Sequence, residues 1–301
     1  MAKESFDDVK KYRDLLPKAF GSLGFQLKPI FIGGSGVKLQ EPVERSSLFG
    51  HWYDGNTDVI EHKFYVNFSA KKRSSHSEPN LSYESFNLKN IKLNKRKMLS
   101  LLSSQFDPIG LVSCFLSKYK IFIAHLFRKN YDWDTELDEV DQKQATYLTR
   151  EILLAAEKGV KFNRSIKPPG FVLHSIICMV DASSVALQVV LFGCFSKGSE
   201  KHTSLLCAKT KVCSDTIPKC EFMAILAGHR LVKTYLQATD EKPQFIEFIS
   251  DSTCTLDILK STFSSKELWF QNRIAEMRKI CHEINIAVSY THLTLPTILL
   301  V

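Results

Sequence analysis

The sequence predicts an α/β fold, α+β in overall order, with a mixed sheet preceded by a helical stretch. Three observations predict it. Apolar runs at Phe171–Val180, Val185–Phe195 and Leu205–Ala208 succeed one another with short breaks, as consecutive strands do. A helical stripe from Pro218 to Tyr235, with proline in its first turn, comes next, followed by another apolar run at Gln244–Ile249. The resulting order β-β-β-α-β-α is not that of an alternating doubly wound sheet, so mixed pairing is expected.

The remaining elements follow in order. Val9, Leu15, Leu16 and Phe20 give a helical stripe that Gly21 and Gly24 break. Gly33-Gly34-Ser35-Gly36 reads as a turn and lacks the Lys-Ser/Thr that a phosphate loop requires. Residues 47–53 and 59–68 flank Asp54-Gly55-Asn56-Thr57 as a hairpin, and 69–90 read as a polar loop or insert. Met98 to Phe106 form a helix that Asp107-Pro108-Ile109-Gly110 breaks. Further helices span about 112–129 and 138–158, with Asp132-Trp133-Asp134 between them. Ile166 to Gly170 mark a domain boundary. Helices are expected at 252–259 and 269–282, and a last strand begins at Ile284.

Composition narrows the function. At 301 residues the chain holds about two domains, and 44% hydrophobic residues supply a core. No apolar stretch approaches the ~18 residues of a membrane span, and Met1 to Ser5 do not begin a secretory signal. The 8 cysteines include no Cys-x-x-Cys pair. Cys178, Cys194, Cys207, Cys220 and Cys254 lie in or beside apolar segments, so buried free thiols and a reducing compartment are expected. The net charge of +8 suits a polyanion. Between Lys71 and Lys97 eight basic residues face two acidic ones. Either this is a solvated linker or Lys92, Lys95, Arg96 and Lys97 contact phosphates without reading sequence.

Three carboxylates carry the chemistry. Asp181 closes one apolar run, Asp251 closes another, and Glu221 stands in the first turn of the helix between them. If the two runs are adjacent parallel strands, both aspartates emerge at one sheet edge. Steps of four and three residues join Glu221 to Ile225, Gly228 and Val232, so it heads the stripe that faces the sheet. Carboxylates brought together repel one another, and cations relieve that. Mg²⁺ (or Mn²⁺) prefers oxygen ligands, and two such ions ~3.5–4 Å apart can drive phosphodiester hydrolysis. Asp181 would then bridge the ions, with Glu221 and Asp251 on either side. Taken singly, each acid also fits a cap or a helix-dipole role.

The chain resembles the polyprotein of BEL/Pao long-terminal-repeat retrotransposons over roughly residues 15–287. Leu99 to Leu111 is similar to that family's LSLxxxxFDPLGL segment, and Asp132-Trp133-Asp134 to its DWD. Val180-Asp181-Ala182-Ser183 is similar to CDAS, Ala208 to Val212 to AKSRV, and Ile217 to Phe222 to IPRLEL. Ser250 to Thr253 is similar to TDST and Asn272 to Glu276 to NRVAEI. The resemblance implies a reverse-transcriptase palm tail at 1–68, a basic linker at 69–97 and a helical thumb and connection at 98–164. It implies a ribonuclease H-like domain at 165–287, with Asp181, Glu221 and Asp251 at its metal-binding positions. It also implies an RNA–DNA hybrid and the rest of the Pol polyprotein as partners, and a cytoplasmic virus-like particle as location.

There are departures. Gln188 stands where the family usually has glycine, and Cys220 and Phe222 replace leucines. The polymerase's paired aspartates are not in the chain. The family's NPAD carboxylate should follow the strand at Ile284. There the chain has Val288 to Thr297, which resembles a translated transposase-based sequencing adapter. Residues 288–301 are therefore expected to carry no fold or function, the parent sequence is expected to stop near Ala287, and little or no activity is expected without the fourth acid. Two alternatives remain. One is an aspartic peptidase, whose name attaches to this family region, although Asp251-Ser252-Thr253 lacks the required glycine. The other is a non-catalytic thumb and connection that grips nucleic acid through Lys92, Lys95, Arg96 and Lys97.

Overall fold

The computed structural model describes residues 6–26, 46–48, 51–55, 57–66, 68, 81–89, 91–260 and 267–293. The glycine-rich turn at 33–36 lies outside them. The chain forms two compact units: residues 1–63 with 158–165, and residues 64–157 with 166–301.

In the first unit, α1 (Phe6–Ser22) precedes an antiparallel sheet of β1 (Ser46–Leu48), β2 (His51–Asp54), β3 (Val59–His62) and β4 (Lys161–Asn163), in that order. The expected hairpin is β2–β3, with Asp54 opposite Val59. β4 returns from far along the chain because Asp58 fastens it. The Arg164 Nη2 donates to Asp58 Oδ2 at 3.0 Å, the Arg164 amide donates to the Asp58 carbonyl at 3.1 Å, and the Tyr53 hydroxyl donates to Asp58 Oδ1 at 3.0 Å.

The second unit begins with α2 (Tyr83–Lys89), inside the stretch expected to be a loop. Three longer helices follow: α3 (Lys95–Ser103), α4 (Ser113–Arg128) and α5 (Glu139–Lys158). Asn94 caps α3 by accepting from the Lys97 amide. Leu116, Tyr119, Phe122, Ile123 and Leu126 form the buried face of α4, and the Tyr119 hydroxyl donates to the Leu148 carbonyl of α5 at 2.9 Å.

Then come β5 (Val172–Ala182), β6 (Ala186–Lys197), β7 (Glu200–Val212), α6 (Ile217–Ala238), β8 (Phe245–Ser250), α7 (Thr253–Lys260), α8 (Leu268–Ile284) and β9 (Ala287–His292). Among the described residues the sheet order is β7-β6-β5-β8-β9. β5–β6 and β6–β7 are antiparallel, while β5–β8 and β8–β9 are parallel, so the sheet is mixed as expected. α6 lies against it very closely. A Cβ on Gly228 would stand 2.8 Å from Cys178 Sγ and 2.9 Å from Phe248 Cε1. Ile225, Phe222 and Val232 on the helix and Ile176, Cys178, Val189 and Leu191 on the strands are all buried in one core. No helix among the described residues is long and apolar enough to cross a membrane.

The C-terminal expectation is corrected in two ways. The last strand does not begin at Ile284, because α8 continues to that residue and Asn285 closes it in the left-handed region at φ 49°. Residues 288–292, expected to have no fold, form β9 together with Ala287, in parallel register with β8. Backbone pairing asks only for a free strand edge and a period of two. Here Val288 and Tyr290 pack against the core.

Candidate metal centre at the strand ends

β5 and β8 run parallel, and Met179 pairs with Ile249. Two residues further on, Asp181 and Asp251 therefore reach the same level on strands about 4.8 Å apart. The condition set by the sequence for a shared edge is met. Asp181 is still within β5, opposite Gln188 of β6, and Asp251 starts the turn into α7. Both are exposed.

Glu221 is tied to the Asp251 turn through a hydroxyl. It is half-buried in α6, and its Oε2 accepts from Ser252 Oγ at 2.6 Å. Ser252 immediately follows Asp251, so the helix acid is tied to the residue beside the strand acid. Ser252 is itself buried. The Thr255 hydroxyl lies 2.8 Å from its oxygen, and the Thr255 amide donates to that oxygen at 3.3 Å.

The capping roles open to the aspartates belong to neighbouring serines. Ser252, not Asp251, accepts from the third amide of α7. Ser183, not Asp181, organises the β5–β6 turn by accepting from the Val185 and Ala186 amides. Glu221 bonds across to Ser252 and not to the amides of its own helix. The Asp181 and Asp251 carboxylates have no hydrogen-bond or ion-pair partner among the described residues. A set of oxygen donors of this kind suits a hard divalent cation. The three acids do not close into a knot with every ligand atom within 4.8 Å.

A disulfide lies alongside. Cys213, just past β7, is bonded to Cys220, next to Glu221, with their Cα atoms 6.2 Å apart. This corrects the free-thiol expectation for Cys220. The β7–α6 turn folds the pair together across a separation of seven residues, which a search for Cys-x-x-Cys does not detect. Cys178 is a buried free thiol as expected, whereas Cys254 is free and exposed.

The predicted phosphate strip has partners inside the fold. Lys92 pairs with Glu136 at 3.4 Å. Lys95 is 7% exposed, with its ammonium 4.7 Å from the Phe127 ring centre and 4.9 Å from that of Trp133. Arg96 makes a bidentate pair with Asp134 at 2.7 and 2.9 Å, which holds that carboxyl below its ordinary range. Lys97 donates to the Lys92 carbonyl. The Asp132-Trp133-Asp134 motif is thus the dock for the start of α3, and these four residues do not form a strip of free cations.

Residues 94–252, just over half of the chain, match the sequence pattern of the family described as the Pao retrotransposon-like RNaseH-like domain. The chain belongs to this family. No curated protein matches the chain. Among solved structures, RNase H1 from the halophilic archaeon Halobacterium salinarum NRC-1 is similar at 13% identity, over 41% of this chain and 88% of that one, with a TM-score of 0.30. The foamy viral protease–reverse transcriptase in complex with RNA/DNA hybrid is similar at 14% identity, over 71% of this chain and 27% of that one, with a TM-score of 0.44. Its complex with double-stranded DNA gives 15%, 70%, 41% and 0.42. The Pao-family chain therefore spans well under half of the foamy viral proteins. Its mixed five-stranded sheet is of the ribonuclease H-like kind.

Proposed function

We propose that this ribonuclease H-like domain of a retrotransposon Pol polyprotein hydrolyses the RNA strand of RNA–DNA hybrids at Asp181, Glu221 and Asp251, with Mg²⁺ or Mn²⁺ as cofactor. The observation that carries the reading is the division of labour at the strand ends. Serines 183 and 252 take the capping bonds, which leaves both aspartate carboxylates without a partner among the described residues and Glu221 bonded to Ser252, next to Asp251.

Asp181, Glu221 and Asp251 would hold the ions through their carboxylate oxygens. When bound, such a pair activates a water and stabilises the leaving oxygen of a phosphodiester. The chain's own residues do the placing. Parallel pairing of β5 and β8 sets the level of the two aspartates. Ser252 fixes the rotation of the Glu221 carboxylate, and the Cys213–Cys220 bridge ties the start of α6 to the end of β7. The family's fourth carboxylate would follow Ile284, where this chain carries Val288 to Thr297, so turnover is expected to be low.

The test uses the full chain. Mn²⁺ should raise the melting temperature of the wild type but not of an Asp181→Asn/Asp251→Asn double variant. Slow Mn²⁺-dependent cutting of the RNA strand in a labelled hybrid should vanish in Asp181→Asn. Equal stabilisation of both proteins by Mn²⁺, or cutting undiminished in Asp181→Asn, refutes the assignment.

A further inference from the structure

Two sequence motifs that the metal centre does not use meet at the outer edge of β7. The Ala208 amide donates to the Ile109 carbonyl at 2.9 Å, and Gly110, at φ +79°, fits against the Ala208 carbonyl, where a Cβ would come within 1.8 Å. Lys120 of α4 continues the same edge by donating to the Thr210 carbonyl at 3.1 Å. Between this edge and α6 opens a groove of about 570 Å³. Its apolar wall includes Leu187, Met223 and Leu231.

The charge of the groove is one-sided. Lys120, Lys209, Lys211 and Arg230 line it. Arg230 is engaged by Glu276 in a bidentate pair at 2.6 and 2.8 Å. Among the described residues lining the groove the one carboxylate is Asp107, and both its oxygens accept backbone amides, from Leu111 at 2.8 Å and Val112 at 3.0 Å. Lys209 and Lys211 are exposed and have no ion-pair partner among the described residues. They alternate with Thr210 on β7, so they project from one side about 7 Å apart. That spacing is of the order of the separation between successive phosphates along a nucleic-acid strand. Lys209 and Lys211 stand opposite Val189 and Leu187 of β6, on the face of the sheet that packs against α6.

We propose that this groove binds the phosphate backbone of a nucleic-acid strand, with Lys209 and Lys211 on neighbouring phosphates and Lys120 behind them. The proposal rests on the nucleic-acid reading above but not on the metal centre. It is tested by fluorescence anisotropy of a labelled RNA–DNA hybrid with the full chain in EDTA, across a salt series. A Lys209→Ala/Lys211→Ala double variant should bind about tenfold more weakly at low salt. Its slope of log affinity against log salt should be shallower by about 1–2. Lys143→Ala on α5, whose exposed lysine pairs with Glu139, should match the wild type. A wild-type slope in the double variant overturns the proposal, as does a wild type that fails to bind. Asp181→Asn separates the two readings. If it abolishes cutting while the double variant keeps the wild-type slope, the groove alone falls. If cutting survives it while the double variant loses slope, the metal centre alone falls.

Discussion

His229 should make the second unit sensitive to mild acid. It is buried on α6, with Nδ1 donating to the Ile225 carbonyl at 2.9 Å and Nε2 2.9 Å from the Tyr290 hydroxyl, which donates to it. Its ring stacks on Phe248 at 4.1 Å between centroids. Burial pushes its pKa from 6.5 down to about 4. The unfolded chain therefore binds the extra proton between pH 6.5 and pH 4. The stability due to neutral His229 is present above 6.5 and is lost as pH falls through that window. Linkage puts the loss at about 2 kcal/mol between pH 7.5 and 5, and at about 3 kcal/mol once the window is crossed. The perturbation is His229→Gln, which keeps a polar side chain but cannot titrate. Urea unfolding of both proteins at pH 7.5, 6 and 5 gives the stability difference at each pH, and carboxylates common to both cancel. The advantage of the wild type should shrink by about 2 kcal/mol over that range. A difference that stays constant with pH would show that the imidazole is not held neutral by burial, and the reasoning would fail.

Two further outcomes follow from contacts already described. Gly110→Ala forces a Cβ into the Ala208 carbonyl at a positive φ, so unfolding free energy should drop by about 2–4 kcal/mol, read from the urea midpoint. A change under about 0.5 kcal/mol would mean the loop does not press on β7. Dithiothreitol should destabilise the wild type by about 2 kcal/mol in thermal melts, because the Cys213–Cys220 bridge closes a short loop. Cys213→Ser should melt alike with and without reductant, and equal reductant sensitivity in both proteins would refute the bridge.

The elements most legible in the sequence were those whose periodicity was strong. The helices near 112–129 and 138–158 appear as α4 (Ser113–Arg128) and α5 (Glu139–Lys158), and the three apolar runs appear as β5, β6 and β7. The stripe under Glu221 was visible because Ile225, Gly228 and Val232 recur at helical spacing, and all three are buried. α2 was missed because Tyr83–Lys89 is short and polar, with no stripe to detect. The last strand is expected from Ile284 but starts at Ala287 and runs on through residues expected to carry no fold, because strand pairing accepts almost any residues that alternate.

The sequence by itself determined where the chain turns, which faces are apolar, and that Asp181, Glu221 and Asp251 stand at the ends of their elements. These follow from local periodicity and turn chemistry, which act between near neighbours. Only the tertiary structure decided what each polar group touches. It gave the capping bonds to Ser183 and Ser252, took Lys95 and Arg96 into the Trp133–Asp134 dock, joined Cys213 to Cys220, and left Lys209 and Lys211 facing a groove. The physical reason is that hydrogen bonds, ion pairs and disulfides depend on distances of a few ångströms between groups far apart in sequence, and the packing of α6 and α4 against the sheet sets those distances.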